Sequence, residues 1–127
     1  MPRPSEPLAS AERWLRTDEP GSVTNSHLAD GRRLGWHGPV PAGGALAIDA
    51  EITAAPVPPA LARRFGTDRF WARWTRAEAL CKLADLPMLA WVGHRGLDSP
   101  DPPGVRCRTL LLADLTVTVA IAKRRST

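Results

Sequence analysis

The sequence has little cysteine and no apolar segment long enough to cross a membrane. Cys81 and Cys107 are its two cysteines. They are too few for a disulfide framework and predict buried thiols in a reducing compartment. No apolar run reaches the roughly 20 residues that span a bilayer, and the first residues lack the apolar core of a signal peptide. We therefore expect a cytoplasmic protein with no membrane partner.

Several common catalytic and binding motifs are absent as well. No two Cys or His residues form the close pair that begins a zinc site. The sequence contains no glycine-rich phosphate loop of the P-loop or Rossmann type and no Gly-x-Ser-x-Gly nucleophile motif. Candidate site residues must therefore come from other polar positions.

The composition indicates one small, basic domain that is rich in loops. The chain has 127 residues, 43% of them hydrophobic, with a net charge of +4 and a pI of about 10.0, and such a charge favours anionic partners. Its arginines are scattered, and scattered arginines more often form a solvated surface than a nucleic-acid-binding stripe. We therefore expect no nucleic-acid partner. The 13 prolines and 10 glycines predict many loops.

The residue pattern predicts an α+β fold in which a small antiparallel sheet packs on one long helix. We divide the chain into an N-terminal tail with a short helix (1–21), a main domain (22–122) and a basic C-terminal tail (123–127). Predicted helices cover 8–16, with Ser10 as the N-cap, then 59–65, and 68–84, with Thr67 or Asp68 as the cap. Strands are predicted at 45–52 and, as a hairpin, at 105–112 and 115–122, while the ambiguous segment 22–37 is interpreted as two short strands, 23–27 and 33–36.

Two acids lie on the same face of the predicted strand 45–52. Side chains alternate along a strand, so Asp49 and Glu51 project together, opposite Ile48 and its apolar neighbours. Mg²⁺ prefers oxygen ligands and commonly takes only a few carboxylates from a protein. The same pattern, taken alone, more often belongs to a polar strand face that is turned to solvent. Both interpretations stay open at this point.

The long helix carries a third acid between an aromatic residue and a lysine. Trp74, Glu78 and Lys82 recur every four residues, so they share one helix face. We expect Trp74 to be largely buried, which would leave Glu78 at the core edge, pointing into a cleft with Lys82 one turn further on. This arrangement suits a site for metal, phosphate or both. The alternative is an ordinary surface ion pair between Glu78 and Lys82.

In this order, the segments resemble the second half of the 4'-phosphopantetheinyl transferase superfamily. The family's Ser-His-Ser-Gly-Asp is similar to residues 26–30, Ser-His-Leu-Ala-Asp, and its Gly-[Ile/Val]-Asp-[Ile/Val]-Glu is similar to residues 47–51, Ala-Ile-Asp-Ala-Glu. Its most specific motif, Trp-[Ser/Thr]-x-Lys-Glu-[Ala/Ser]-x-x-Lys, is similar to residues 74–82, Trp-Thr-Arg-Ala-Glu-Ala-Leu-Cys-Lys. The preceding Arg64-Phe65 and the final hairpin fit too, so the resemblance covers about residues 22 to 122.

The resemblance implies magnesium-dependent transfer of 4'-phosphopantetheine from coenzyme A to a serine of an acyl or peptidyl carrier protein. It implies that Asp49, Glu51 and Glu78 hold Mg²⁺ on the pyrophosphate of coenzyme A. Glu78, directly or through water, would also take the proton of the serine hydroxyl. Lys82 would contact phosphate and stabilise charge on the leaving 3',5'-ADP. His27, which by itself is an ordinary structural or surface histidine, would contact a coenzyme A phosphate.

The sequence departs from the family pattern at three points. Ala77 stands where the family has a phosphate-contacting lysine, and we expect Arg76 to replace part of that contact. Ala47 replaces a glycine. The chain also resembles only the second lobe of the two-lobed members, so we expect a homo-oligomer or a companion subunit to complete the site. The alternative function is a non-catalytic relative that binds a carrier protein or a companion subunit.

Overall fold

The structure is a computed structural model that describes residues 6 to 123. Over these residues it is an α+β protein with two antiparallel three-stranded sheets and several helices. The helices are α1 (Glu6–Ala9), α2 (Pro59–Phe65), α3 (Phe70–Ala84) and α4 (Met88–Arg95), with a 3₁₀ turn at Ala11–Trp14. The strands are β1 (Leu15–Thr17), β2 (Thr24–His27), β3 (Arg33–Trp36), β4 (Ala45–Ile52), β5 (Val105–Leu112) and β6 (Leu115–Ala122). No helix within 6–123 is long and apolar enough to cross a membrane.

The larger sheet follows the order β4–β6–β5 and contains the predicted hairpin. Strand β6 pairs antiparallel with both neighbours, which places Asp49 opposite Thr118 and Glu51 opposite Thr116. The two-residue turn between β5 and β6 includes Ala113 at a φ of 52°. The predicted bounds of these three strands are confirmed.

Each face of the larger sheet is covered by a separate hydrophobic core. The sheet core, between the two sheets, includes Trp36, Ile48, Val117, Val119 and Ile121. The helix core, between the larger sheet and helices α3 and α4, includes Phe70, Ala77, Leu80, Trp91 and Val92. Because side chains alternate along β4, Ile48 faces the sheet core while Asp49 and Glu51 face the helices. The predicted division of the β4 side chains between two faces is therefore confirmed.

The smaller sheet has the order β1–β3–β2 and includes residues that we predicted to be helical. The helix predicted at 8–16 is confirmed only in part: α1 ends at Ala9, Ser10 is the N-cap residue of the 3₁₀ turn Ala11–Trp14, and the chain is already extended at Leu15. Leu15 pairs with Trp36, and both side chains are buried in the sheet core. Tertiary burial here outweighs local helix propensity. The predicted tail residues 1–5 and 124–127 lie outside the described part of the chain.

Helix α3 is the predicted long helix, with a later start than expected. It begins at Phe70, and the residue before it, Arg69, has a left-handed φ of 48° and makes no side-chain capping bond. The predicted caps at Thr67 and Asp68 are therefore wrong. Trp74 is half-buried rather than largely buried, and it stacks on Phe70 with ring centroids 5.6 Å apart.

Helix α4 has no counterpart among the predicted elements. It begins directly after Pro87, and Trp91 and Val92 carry its buried surface. These side chains pack in the helix core beside Leu80 and Cys81 of α3. The apolar pattern over its eight residues is too short to distinguish a helix from a buried loop in the sequence.

Candidate metal site

Three carboxylates from two layers of the fold converge between β4 and α3. Asp49 and Glu51 project from β4, and Glu78 projects from α3 across the sheet. One oxygen of each carboxylate lies within 4.8 Å of the others. Helix α3 is held over the sheet by a bond between the Thr75 and Thr118 hydroxyls at 2.9 Å, one turn before Glu78. The sequence-predicted set of ligands is thus brought together.

Asp49 is the buried member of this cluster. Only 3% of its surface is exposed, whereas Glu51 and Glu78 are half-buried. The alternative interpretation, a polar strand face turned to solvent, is therefore wrong, because α3 covers that face. Asp49 Oδ2 is buried and has no hydrogen-bond partner among residues 6–123. An unpartnered buried carboxylate oxygen is costly, which makes it the natural point of attachment for a cation.

The local electrostatics favour the uptake of positive charge. Burial raises the pKa of Asp49 from its ordinary 3.8 to about 8; the charge of Glu78 contributes further, and Lys82 opposes the change. The pKa of Glu51 is also raised, again mainly by burial and then by Glu78. Three carboxylates this close cannot all ionise cheaply without a counter-charge.

Lys82 lies in the cluster but does not pair with Glu78. Its Nζ donates to the backbone oxygen of Ile48 at 2.7 Å and to Asp49 Oδ1 at 3.2 Å. The alternative of a Glu78–Lys82 surface ion pair is therefore wrong. The proposed contact of Lys82 with phosphate stays a prediction, since in this structure its ammonium group is bound to β4.

Ser26 is a site residue that the sequence reasoning missed. It is 3% exposed, accepts the Ala50 amide N–H at 3.1 Å, and approaches Asp49 Oδ1 at 3.4 Å. The Ser26 hydroxyl thus accepts a hydrogen bond from the backbone at the edge of β4. It lies near Oδ1 of Asp49, so Oδ2 stays without a partner in the described part of the chain. The one indication in the sequence is that Ser26 precedes His27 in the first motif, from which we assigned a role to the histidine alone.

The other two predicted contacts are not made with the cluster in the described structure. His27 is exposed on β2, and because side chains alternate along a strand, it points to the face opposite the buried Ser26. The structure does not bring Arg76 to the cluster. Its guanidinium binds Asp101 at 2.6 Å, and both charges act on the pKa of Cys107 in β5. Strand β5 is two strands away from β4, about 10 Å across the sheet.

The two alanines that replace family residues are both buried. Ala77, at the position of the family's lysine, has 0% exposure and packs in the helix core. Ala47 is 5% exposed on β4. In this fold, a lysine side chain at position 77 would begin inside the helix core rather than in the carboxylate cluster.

A surface cavity reaches one carboxylate of the cluster, Glu78. A cavity of about 270 Å³ is lined by Glu78, Cys81, Lys82, Asp85, Leu86 and Met88. Cys81 is buried beside Met88, and burial followed by the charge of Glu78 raises its pKa to about 11. Its thiol therefore remains protonated at neutral pH and is not an activated nucleophile.

The donor set suits a hard divalent cation. Three carboxylates supply oxygen ligands, and Mg²⁺ typically takes a few such ligands and fills its remaining positions with water or phosphate oxygens. Such an ion would give the unpartnered Oδ2 of Asp49 a ligand and would lower the raised pKa values of Asp49 and Glu51. The residues present therefore fit Mg²⁺.

Comparison with known proteins adds no relative. No protein-family model matches the chain, and neither a curated protein nor a solved structure matches it.

Proposed function

We propose that this protein transfers 4'-phosphopantetheine from coenzyme A to a serine of an acyl or peptidyl carrier protein, in a magnesium-dependent reaction. The observation that carries the proposal is the convergence of Asp49, Glu51 and Glu78 within 4.8 Å, with Asp49 Oδ2 left unpartnered. These are the three acids that the resemblance to 4'-phosphopantetheinyl transferases selects. Together with the long helix on an antiparallel sheet, they support one lobe of that kind.

The proposed roles come from the resemblance, and the positions of the carboxylates support them. Asp49 Oδ2, Glu51 and Glu78 hold Mg²⁺, which when bound offsets negative charge on the pyrophosphate oxygens. Glu78 lines the cavity, so it is the carboxylate that an incoming serine hydroxyl can reach, and it accepts the serine proton directly or through water. The serine oxygen forms a bond to the phosphorus that carries pantetheine, and the bond from that phosphorus to 3',5'-ADP breaks.

Two cationic groups complete the proposal. Lys82 lies beside Glu78 in the cavity lining and stabilises charge on the departing 3',5'-ADP. By the resemblance, His27, which is exposed on β2, contacts a phosphate of coenzyme A. Arg76 has no role here, because its guanidinium is bound to Asp101. A second copy or a companion subunit supplies the rest of the coenzyme A surface.

The test is a transfer assay read by mass spectrometry. Purified protein, coenzyme A, Mg²⁺ and a panel of apo carrier proteins should yield a carrier that has gained one phosphopantetheine group. Glu78→Gln should abolish the gain while leaving the circular dichroism spectrum unchanged. Glu19→Gln is the matched control, since Glu19 is an exposed acid paired with Arg16 outside the cluster, and it should retain full activity.

Two results would contradict the proposal. No mass gain on any carrier, together with no coenzyme A binding by calorimetry, removes the enzymatic function. An unchanged transfer rate in Glu78→Gln removes the assigned site.

A non-catalytic, partner-binding role is the second candidate. It is favoured by two exposed leucines near the cavity, Leu89 at 86% and Leu86 at 45% exposure. Apolar side chains exposed to this extent are available for contact with a partner. A carrier protein that binds without gaining mass, and whose binding is lost in Leu89→Ser, would establish this role in place of transfer.

A further inference from the structure

Lys82 places a positive charge of the protein itself in the carboxylate cluster. Its ammonium group is fixed by two acceptors of β4, the Ile48 carbonyl oxygen at 2.7 Å and Asp49 Oδ1 at 3.2 Å. The same strand supplies two of the three carboxylates. The folded chain therefore already partly neutralises the cluster.

A divalent cation and this ammonium group compete for the same negative charge. The unpartnered oxygen, Oδ2, belongs to the carboxylate whose Oδ1 is bound to Lys82. Two cations on one carboxylate are only a few ångströms apart. The two cations repel each other strongly, because Asp49 is buried and solvent around it screens the interaction only weakly.

The Lys82 side chain is exposed enough to leave Asp49 once its two hydrogen bonds break. Its side chain is 39% exposed and lines the cavity with Glu78. A rotation of the flexible stem carries the ammonium group into the cavity, where it is hydrated, while the backbone of α3 stays in place. Asp49, at 3% exposure, has no comparable freedom.

We propose that Lys82 is a resident counter-ion of the cluster, which a divalent cation displaces toward the phosphates of the substrate. The inference rests on the proposed function, because it requires the cluster to take such a cation. This displacement couples metal binding to the contact between Lys82 and phosphate. Entry of the metal releases the ammonium group that phosphate needs, so the phosphate contact of Lys82 forms only after the metal has bound.

Lys82→Met tests the displacement, since methionine keeps an unbranched apolar side chain and removes the charge. The variant should bind Mn²⁺ alone, without coenzyme A, about tenfold more tightly than the wild type at alkaline pH. Lys123→Met is the matched control, because it removes the same charge from the other lysine of the chain, which is exposed. Its Mn²⁺ affinity should stay within about twofold of wild type, as distant surface charges are screened.

A second measurement does not depend on the folding of the Lys82 variant. In Lys123→Met, Lys82 is the one remaining lysine, so its side-chain amine gives a single NMR signal. Saturation with Mg²⁺ should shift this signal and speed its proton exchange with water, because the hydrogen bonds to Ile48 and Asp49 break.

The outcomes separate this inference from the proposed function. Equal or weaker Mn²⁺ binding by folded Lys82→Met, or a Lys82 signal that Mg²⁺ leaves in place, overturns the displacement and leaves the metal site standing. If the wild type binds neither Mn²⁺ nor Mg²⁺, the metal site itself fails, and the proposed function fails with this inference.

Discussion

Asp49→Asn removes the buried charge of the cluster and should stabilise the metal-free protein at alkaline pH. The pKa of Asp49 is about 8 in the folded protein, against its ordinary 3.8. Between those values the folded state holds a proton that the unfolded state has released. The stability that this group contributes is therefore complete below about pH 4 and is lost as the pH rises through about 8.

The size of the effect follows from the pKa and from the contacts of Asp49. A pKa of about 8 in place of 3.8 corresponds to roughly 6 kcal/mol when the group is fully ionised. Asparagine keeps an oxygen for Lys82 and Ser26, but its amide must find an acceptor, which offsets part of the gain. We expect Asp49→Asn to raise the free energy of unfolding by about 2 kcal/mol at alkaline pH and to lower it by about 2 kcal/mol near pH 5, because three pH units below the folded pKa correspond to roughly 4 kcal/mol.

Urea unfolding at both pH values, in EDTA and in excess Mg²⁺, measures this directly. At a hundredfold excess over its dissociation constant, Mg²⁺ should add about 2.7 kcal/mol to the wild type and nothing to Asp49→Asn. Asp98→Asn is the control, because Asp98 is an exposed acid whose pKa is lowered by its hydrogen bonds to Arg73, so its removal should bring no gain. Equal pH slopes in wild type and Asp49→Asn, or equal stabilisation of both by Mg²⁺, would refute the reasoning.

Two further substitutions test the surroundings of the cluster. Ser26→Ala removes the acceptor of the buried Ala50 N–H and should lower the free energy of unfolding, measured by urea titration, by about 1–2 kcal/mol. Ser99→Ala is the control, because it removes a buried hydroxyl that has no partner among residues 6–123, and it should lower the free energy of unfolding less. Ala77→Lys restores the family's residue at a fully buried position and should lower the free energy of unfolding by about 3 kcal/mol or more, whereas Ala90→Lys on the exposed face of α4 should change it little. Unchanged thermal stability and faster transfer in Ala77→Lys would show that position 77 faces the site.

Sequence patterns were sufficient for the elements that carry the cluster. Alternation along 45–52 placed Asp49 and Glu51 on one face, and four-residue spacing put Glu78 and Lys82 on one side of a helix. Both patterns follow from backbone geometry, which depends little on the rest of the fold. The bounds of β4, β5 and β6 were predictable for the same reason.

The parts that failed depend on contacts between distant segments. The burial of Asp49 follows from α3 lying across β4, and the pairing of Lys82 with Asp49 rather than Glu78 follows from the same docking. Leu15 is extended because it pairs with Trp36 across a loop, although its own segment resembles a helix. Ser26 acquires its role only when β2 lies beside the edge of β4. None of these contacts leaves a periodic trace in the sequence.

The cluster is divided between two layers, with Asp49 and Glu51 on the sheet and Glu78 on the helix that covers it. Helix α2 and the first half of α3 separate Glu51 from Glu78 along the chain, so no short segment of this protein holds all three carboxylates. An ion bound here would link the two layers, and its affinity would depend on α3 remaining packed on β4. The three carboxylates therefore come together only when α3 packs on β4.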